Sequence, residues 1–186
     1  MFLYFTIVWE QREVKDICEQ ITETITPLDN PDEIFTEYSM PAFDNSETAD
    51  IVVGKSMNSM RKVIDKPCIL VNKLNVRKKR IWNVTKPEFN AVCSAEFVPL
   101  SSSRSNLTFI KYILLTDKFT SYLEDCSSGS SNSQKRVTPD VIMSAKIIVP
   151  KIEEQNRIGE FFTNLDNLIT LHQRKLNTAI SRQNRR

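Results

Sequence analysis

The chain has a single histidine, His172, and only four cysteines, Cys18, Cys68, Cys93 and Cys126, with no Cys-x-x-Cys pair among its 186 residues. A zinc site needs several nitrogen or sulfur ligands at short spacing, so no metal is expected. Thiols scattered in this way are expected to be reduced and half-buried in a cytoplasmic protein. An uncharged apolar run of about 20 residues, the length that spans a bilayer, is also missing. The first nine residues are apolar, but they lack a basic leader and run into Glu10, Arg12 and Glu13. They are not read as a signal peptide, and a soluble protein with no membrane partner is expected.

The residue sets that carry catalysis are missing too. A serine or cysteine nucleophile wants a general base, and the one histidine falls in an apolar helix seam. A carboxylate-type nuclease needs Pro-Asp followed by an acid-x-Lys pair to hold its metal, whereas Pro139-Asp140 is followed by Ser144-Ala145-Lys146. The Asn-Pro-Pro-aromatic grip of amino-methyltransferases stops after Asn30-Pro31. Ala49 to Ser56 fits the loosest phosphate-loop pattern, yet Ile51, Val52 and Val53 occupy its loop positions and Pro67 cuts short the helix that should follow. The chain reads as non-catalytic by itself, with no bound cofactor.

What is present is charge, unevenly placed. Residues 1–50 carry two basic and twelve acidic side chains, residues 51–150 sixteen and seven, and residues 151–186 seven and four, which leaves +2 overall. An acidic first third beside a basic middle third fits a molecule that turns one face to a polyanion, and it fits an ordinary solvated surface equally well. The length suffices for one packed domain plus an appended element, since a domain near 150 residues buries roughly 70% of its unfolded surface.

Short β-forming runs at 51–53, 68–71, 81–84 and 92–98, separated by Pro67, Pro87 and polar clusters, predict a small sheet. Asn106 to Leu123 has apolar residues at helical spacing with Asn106 as N-cap, which predicts one helix covering that sheet. Residues 127–136 are polar and contain Gly129, so they read as an exposed loop. Thr138-Pro139 gives a cap and a first-turn proline for a short helix. Residues 146–149 return as a strand, and Pro150 launches a final helix over residues 152–183, about 48 Å long at about 1.5 Å per residue. The expected fold is α/β (α+β): a globular domain at 1–149 with a small sheet and covering helices, then a long coiled-coil-type helix at 150–186.

Two basic stretches have the chemistry to meet nucleic acid. Lys73, Asn75, Arg77, Lys78, Lys79 and Arg80 lie at the turn between two expected strands; Asn132, Ser133, Gln134, Lys135 and Arg136 lie in the polar loop. Arginine and lysine neutralise phosphates or read guanine, while asparagine and glutamine read adenine. Each stretch also reads as a solvated hairpin tip or a flexible linker. Lys55, Arg61 and Lys62 complete the candidate DNA-contact set. In the final helix, Ile158, Phe162, Leu165, Ile169, His172, Leu176 and Ala179 alternate by four and three and keep one seam on a face, as a partner helix requires. Phe161 and Leu168 lie beside it. His172 can set register in such a seam or simply snorkel outward.

The phrase Glu154-Gln155, Arg157-Ile158-Gly159, Leu165-Asp166, His172-Gln173 after Pro150 resembles the conserved spacer of the DNA-specificity subunits of type I restriction-modification systems. Trp9 to Ile17 is similar to that family's opening phrase, residues 67–74 resemble the strand entering its target-recognition region, and residues 127–137 the segment before its spacer. A complete member has two target-recognition domains and two antiparallel spacer helices; this chain has one of each, so the resemblance implies a half-subunit. It further implies double-stranded DNA, a methyltransferase (modification) subunit and a restriction subunit as partners, with Glu154 and Gln155 near the docking surface. S-adenosylmethionine would then be bound by the methyltransferase partner. A helix with this seam implies a homodimer reading a split, symmetric DNA site. A chain that has lost DNA reading and acts as a protein-interaction module is the alternative.

Overall fold

The two ends of the first 149 residues meet: β1 (Glu10–Glu13) pairs antiparallel with β11 (Lys146–Val149), so the final helix grows from the point of closure. The computed structural model describes residues 9–131 and 134–183, with side chains up to residue 176. The apolar opening at 1–8, Asn132 and Ser133, and the side chain of Ala179 lie outside that range.

Three layers follow from the burial pattern. β7 (Cys68–Asn72) is buried along its whole length, the mark of a strand covered on both faces. It is central in a four-stranded sheet of order β2-β10-β7-β8, formed with β2 (Glu19–Gln20), β8 (Ile81–Val84) and β10 (Phe97–Ser101). Ile69 and Val71 point to one core with Val98, Leu100, Phe109 and Leu114, under α1 (Val14–Ile17), α3 (Leu107–Leu114), α4 (Asp117–Asp125) and α5 (Pro139–Ser144). Cys68 and Leu70 point to a second core with Tyr38, Trp82 and Phe97. Fully burying one such side chain is worth about 1.5–3 kcal/mol, so a strand feeding two cores ties both together.

The second core is closed by a five-stranded sheet of order β3-β6-β9-β4-β5: β3 (Thr24–Ile25), β4 (Ile34–Tyr38), β5 (Asp50–Val53), β6 (Arg61–Val63) and β9 (Ala91–Cys93), with α2 (Met40–Asp44) between β4 and β5. The one small sheet expected at 51–98 is thus two sheets, and the acidic first third supplies the inner strand β4, parallel to the central β9. Phe35, Met57 and Val92 form a minor cluster on the outer side.

The helix expected over 106–123 is two helices. Asn106 caps α3 by accepting from the Phe109 amide at 2.9 Å, as the sequence indicates. The chain then breaks at Leu115, and Thr116 caps α4 by accepting from the Phe119 amide, with Asp117 in the first turn. Thr138 and Pro139 cap α5 as expected, and α6 spans Ile152–Gln183. No helix among the described residues is long and apolar enough to cross a membrane. Gly54, the glycine of the loose phosphate-loop match, is buried against the carbonyls of Asn30 and Pro27, where a Cβ would sit 2.1 and 2.6 Å from the two oxygens. Close backbone packing explains it.

Cys18, Cys68 and Cys93 are fully buried rather than half-buried, and only Cys126 is exposed. Burial pushes the Cys18 and Cys93 thiols up to about 12 and raises Cys68 further still. Since the thiolate is the reactive form, a disulfide-exchange reagent at pH 8 should label one thiol quickly in the native chain and four after denaturation. Two or more fast thiols in the native chain would contradict the packing of these strands.

Candidate nucleic-acid interface

The two basic stretches, some sixty residues apart in sequence, are stitched together. The Asn75 amide donates to the Lys135 carbonyl at 3.0 Å, the Val137 amide donates to the Lys73 carbonyl at 3.1 Å, and Leu74 forms a β-bridge with Arg136. Asn75 can make this turn because it adopts a left-handed conformation, φ 51°, which asparagine tolerates better than most residues. Gly129, at φ 155°, lets the far side of the loop fold back close to Gln134 and Lys135. Lys62, on β6, adjoins this pair of loops: its amine is held below the usual lysine range by partial burial, with the positive charge of Lys73 adding to the effect. Backbone bonds thus bring Lys73 and Asn75 beside Lys135 and its loop neighbour Gln134, with Lys62 close enough to Lys73 for their charges to interact.

The densest basic run is engaged elsewhere. It forms a 3₁₀ turn at Val76–Lys78 between β7 and β8. Arg77 pairs with Glu124 and Lys79 with Asp117 (2.5 Å), both on α4; Arg80 forks onto Asp44 of α2 at 2.8 and 2.6 Å. These cations hold the Asp44 and Asp117 carboxyls below the usual carboxylate range. Arg136 likewise forks onto Glu96 at 3.2 and 2.8 Å. Lys78 alone of the run has no ion pair among the described residues. The more exposed of these pairs, at Arg77 and Arg136, are worth about 0–1 kcal/mol each, whereas Arg80, with its side chain only 11% exposed, is held in place between α2 and the turn.

Two candidates lie apart from this surface. Arg61 is turned inward onto Glu37 at 2.5 Å, with the two side chains only 13% and 12% exposed. That nearly buried pair fixes β6 against β4, so the placement of Arg61 is structural. Lys55 sits on a 3₁₀ turn held among residues 27–33, with Asp32 at 3.8 Å. A concavity of about 650 Å³ also opens between the sheets, lined by Ile34, Tyr38, Ile51, Trp82, Lys86 and Phe89 with Glu47 and Glu88. Its two carboxylates to one lysine give it none of the positive excess that phosphate attracts, and sequence periodicity offered no signal for it.

The helix face divides in two. Gln155 was placed at the partner-docking surface by resemblance, but it is 4% exposed: its amide donates to the Pro150 carbonyl at 2.9 Å and accepts from the Asn106 amide at 3.1 Å. Buried and bonded within its own domain, this amide is not presented to a partner. Ile158 packs on the core beneath α3, and Phe162 stacks on Tyr112 at 4.5 Å. Gly159 permits this close approach, since a Cβ there would meet Asn106 Oδ1 at 2.9 Å. Glu154 stays partly exposed beside Phe161. Beyond them Leu165, Leu168, Ile169 and Leu176 are 37%, 53%, 55% and 62% exposed, and His172, also exposed, has Nδ1 3.0 Å from the Leu168 carbonyl.

Residues 7–182 match the family model described as the type I restriction modification DNA specificity domain. The chain belongs to that family. Solved structures agree with this specificity domain in fold. The HsdS subunit from Thermoanaerobacter tengcongensis superposes with a TM-score of 0.72 at 21% identity, over 89% of this chain and 44% of that one. A chain from work on complex assembly and conformational transition of the type I R-M system gives 0.74 at 19% identity, over 91% and 45%. The S subunit from M. genitalium gives 0.57 at 14%, over 90% and 41%. The specificity domain thus spans less than half the length of each solved chain.

Proposed function

We propose that this chain is a DNA-recognition half of a type I specificity subunit: the globular domain reads one half of a split site, and α6 pairs with a second helix. The observation that carries this reading is the family match across residues 7–182, domain and helix together. The chain is non-catalytic in this reading. Two copies pair through the exposed seam, and the paired molecule positions a methyltransferase subunit, which holds S-adenosylmethionine, and a restriction subunit, in the cytoplasm. The stitched loops carrying Lys73, Asn75, Gln134 and Lys135, with Lys62 of β6 beside them, supply the DNA contacts.

A second reading has its own support. Arg77, Lys79, Arg80 and Arg136 all contact carboxylates of this same chain, which fits a protein-interaction module that pairs with other specificity or methyltransferase subunits without reading DNA. Selection of bound duplexes from a randomised library separates the two. The first reading expects an inverted repeat with a fixed gap and, for about six neutralised phosphates, a slope near −5 in log affinity against log salt. No enriched sequence and no salt dependence, with subunit binding retained, would establish the second.

A further inference from the structure

α3 and the start of α6 run side by side in the same direction. Asn106 donates to Asn156 at 2.9 Å, Gly159 abuts the Phe109 amide, and Tyr112 stacks on Phe162, a constant offset of 50 residues over about two turns. One turn further on, the Tyr112 hydroxyl donates to Asp166 Oδ2 at 2.5 Å. A stiff helix held only at its first turns can swing about them. A second anchor about 16 Å along, the distance from Gln155 to Asp166 at about 1.5 Å per residue, fixes its direction.

We propose that Tyr112 and Asp166 are positioning residues that lock the angle at which α6 leaves the recognition domain, and so set which gap between half-sites a paired molecule accepts. The second clause rests on the DNA-reading function proposed above; the first does not. The lever is long enough to matter. From Asp166 to Gln183 the helix runs about 26 Å, so a swing of about 10° moves its tip about 4.5 Å, more than the ~3.4 Å rise of one base pair. Burial, together with the Asp166 carboxylate, raises the Tyr112 hydroxyl above the usual phenol range. The stacked ring supplies the lateral contact and the hydroxyl the axial one.

The test places spin labels on the native exposed Cys126 and on Gln173→Cys, in full-length protein diluted with excess unlabelled chain so that only distances within one chain are read. Asp166→Ala and Tyr112→Phe should widen the distance distribution at least twofold, with the melting temperature little changed. Asp166→Asn, which keeps an acceptor, should retain the narrow distribution. An unchanged distribution in both Asp166→Ala and Tyr112→Phe overturns the lock, whatever their stability. On DNA with gaps varied one base pair at a time, the wild type should prefer one gap. Asp166→Ala should bind the neighbouring gaps within about twofold, with the half-site sequence unchanged. A lock seen by the labels in a protein that binds no DNA would remove the DNA-reading function and leave the lock standing. A wild-type gap preference that persists in Asp166→Ala would remove the link to spacing.

Discussion

Replacing Lys62, Lys73 and Lys135 together by glutamine should weaken DNA binding about 100-fold at 0.15 M salt and make the salt slope about 2.7 less steep, if each lysine neutralises one phosphate. The matching triple at Arg77, Lys79 and Arg80 should cost less. These three already face Glu124, Asp117 and Asp44, so any phosphate they bind must first displace a carboxylate. The two triples carry the same change in charge, so a difference between them reports location rather than bulk electrostatics. Equal losses would mean that the protein's overall field governs binding; no loss in either would favour the protein-interaction reading. Titrations at several salt concentrations, with circular dichroism as a folding control, decide among these.

That distinction was invisible in the sequence. Arg77 to Arg80 is the densest basic run, but its partners lie 36 to 47 residues away in the chain and only packing brings them near. The bridge between Leu74 and Arg136 is equally non-local. Local signals fared well: Asn106, Thr138 and Pro139 cap helices where their chemistry says they should, and α6 begins where Pro150 places it. The break at Leu115 was missed because Leu107, Ile110, Leu114 and Tyr122 stay near helical phase across it, and periodicity outweighed the cap signal of Thr116-Asp117.

Gln155 shows the same limit in the spacer phrase. The residues that carry the resemblance include some whose work lies inside the domain: Gln155 ties Pro150 to Asn106, Gly159 admits α3, and Asp166 receives Tyr112. Spacing alone cannot separate these from residues that face outward, because a seam used first by its own domain and then by a partner keeps one period throughout. Ile158 and Phe162 belong to the first use.

Leu165, Leu168, Ile169 and Leu176 are left for the second, which leads to the other large effect. With Leu168→Glu and Ile169→Glu together, light scattering should show the mass fall from about 43 kDa, twice the 21.5 kDa chain, to that of one chain. Both positions are more than half exposed and lie beyond the contacts with α3, so the domain should keep its fold and melting behaviour. Glutamate propagates a helix nearly as well as leucine, so helicity should persist. In a paired helix the two changes would bring four carboxylates to one seam, each losing water without a counter-charge, a cost of several kcal/mol per buried ion. Association of this kind has little in reserve, since the apolar gain must first offset about 4–15 kcal/mol of lost translational and rotational freedom. A wild-type mass of 21.5 kDa at every concentration would mean that the seam meets a different chain, and the same double variant should then block capture of the methyltransferase subunit. A double variant that remains a dimer would place the pairing surface off the helix.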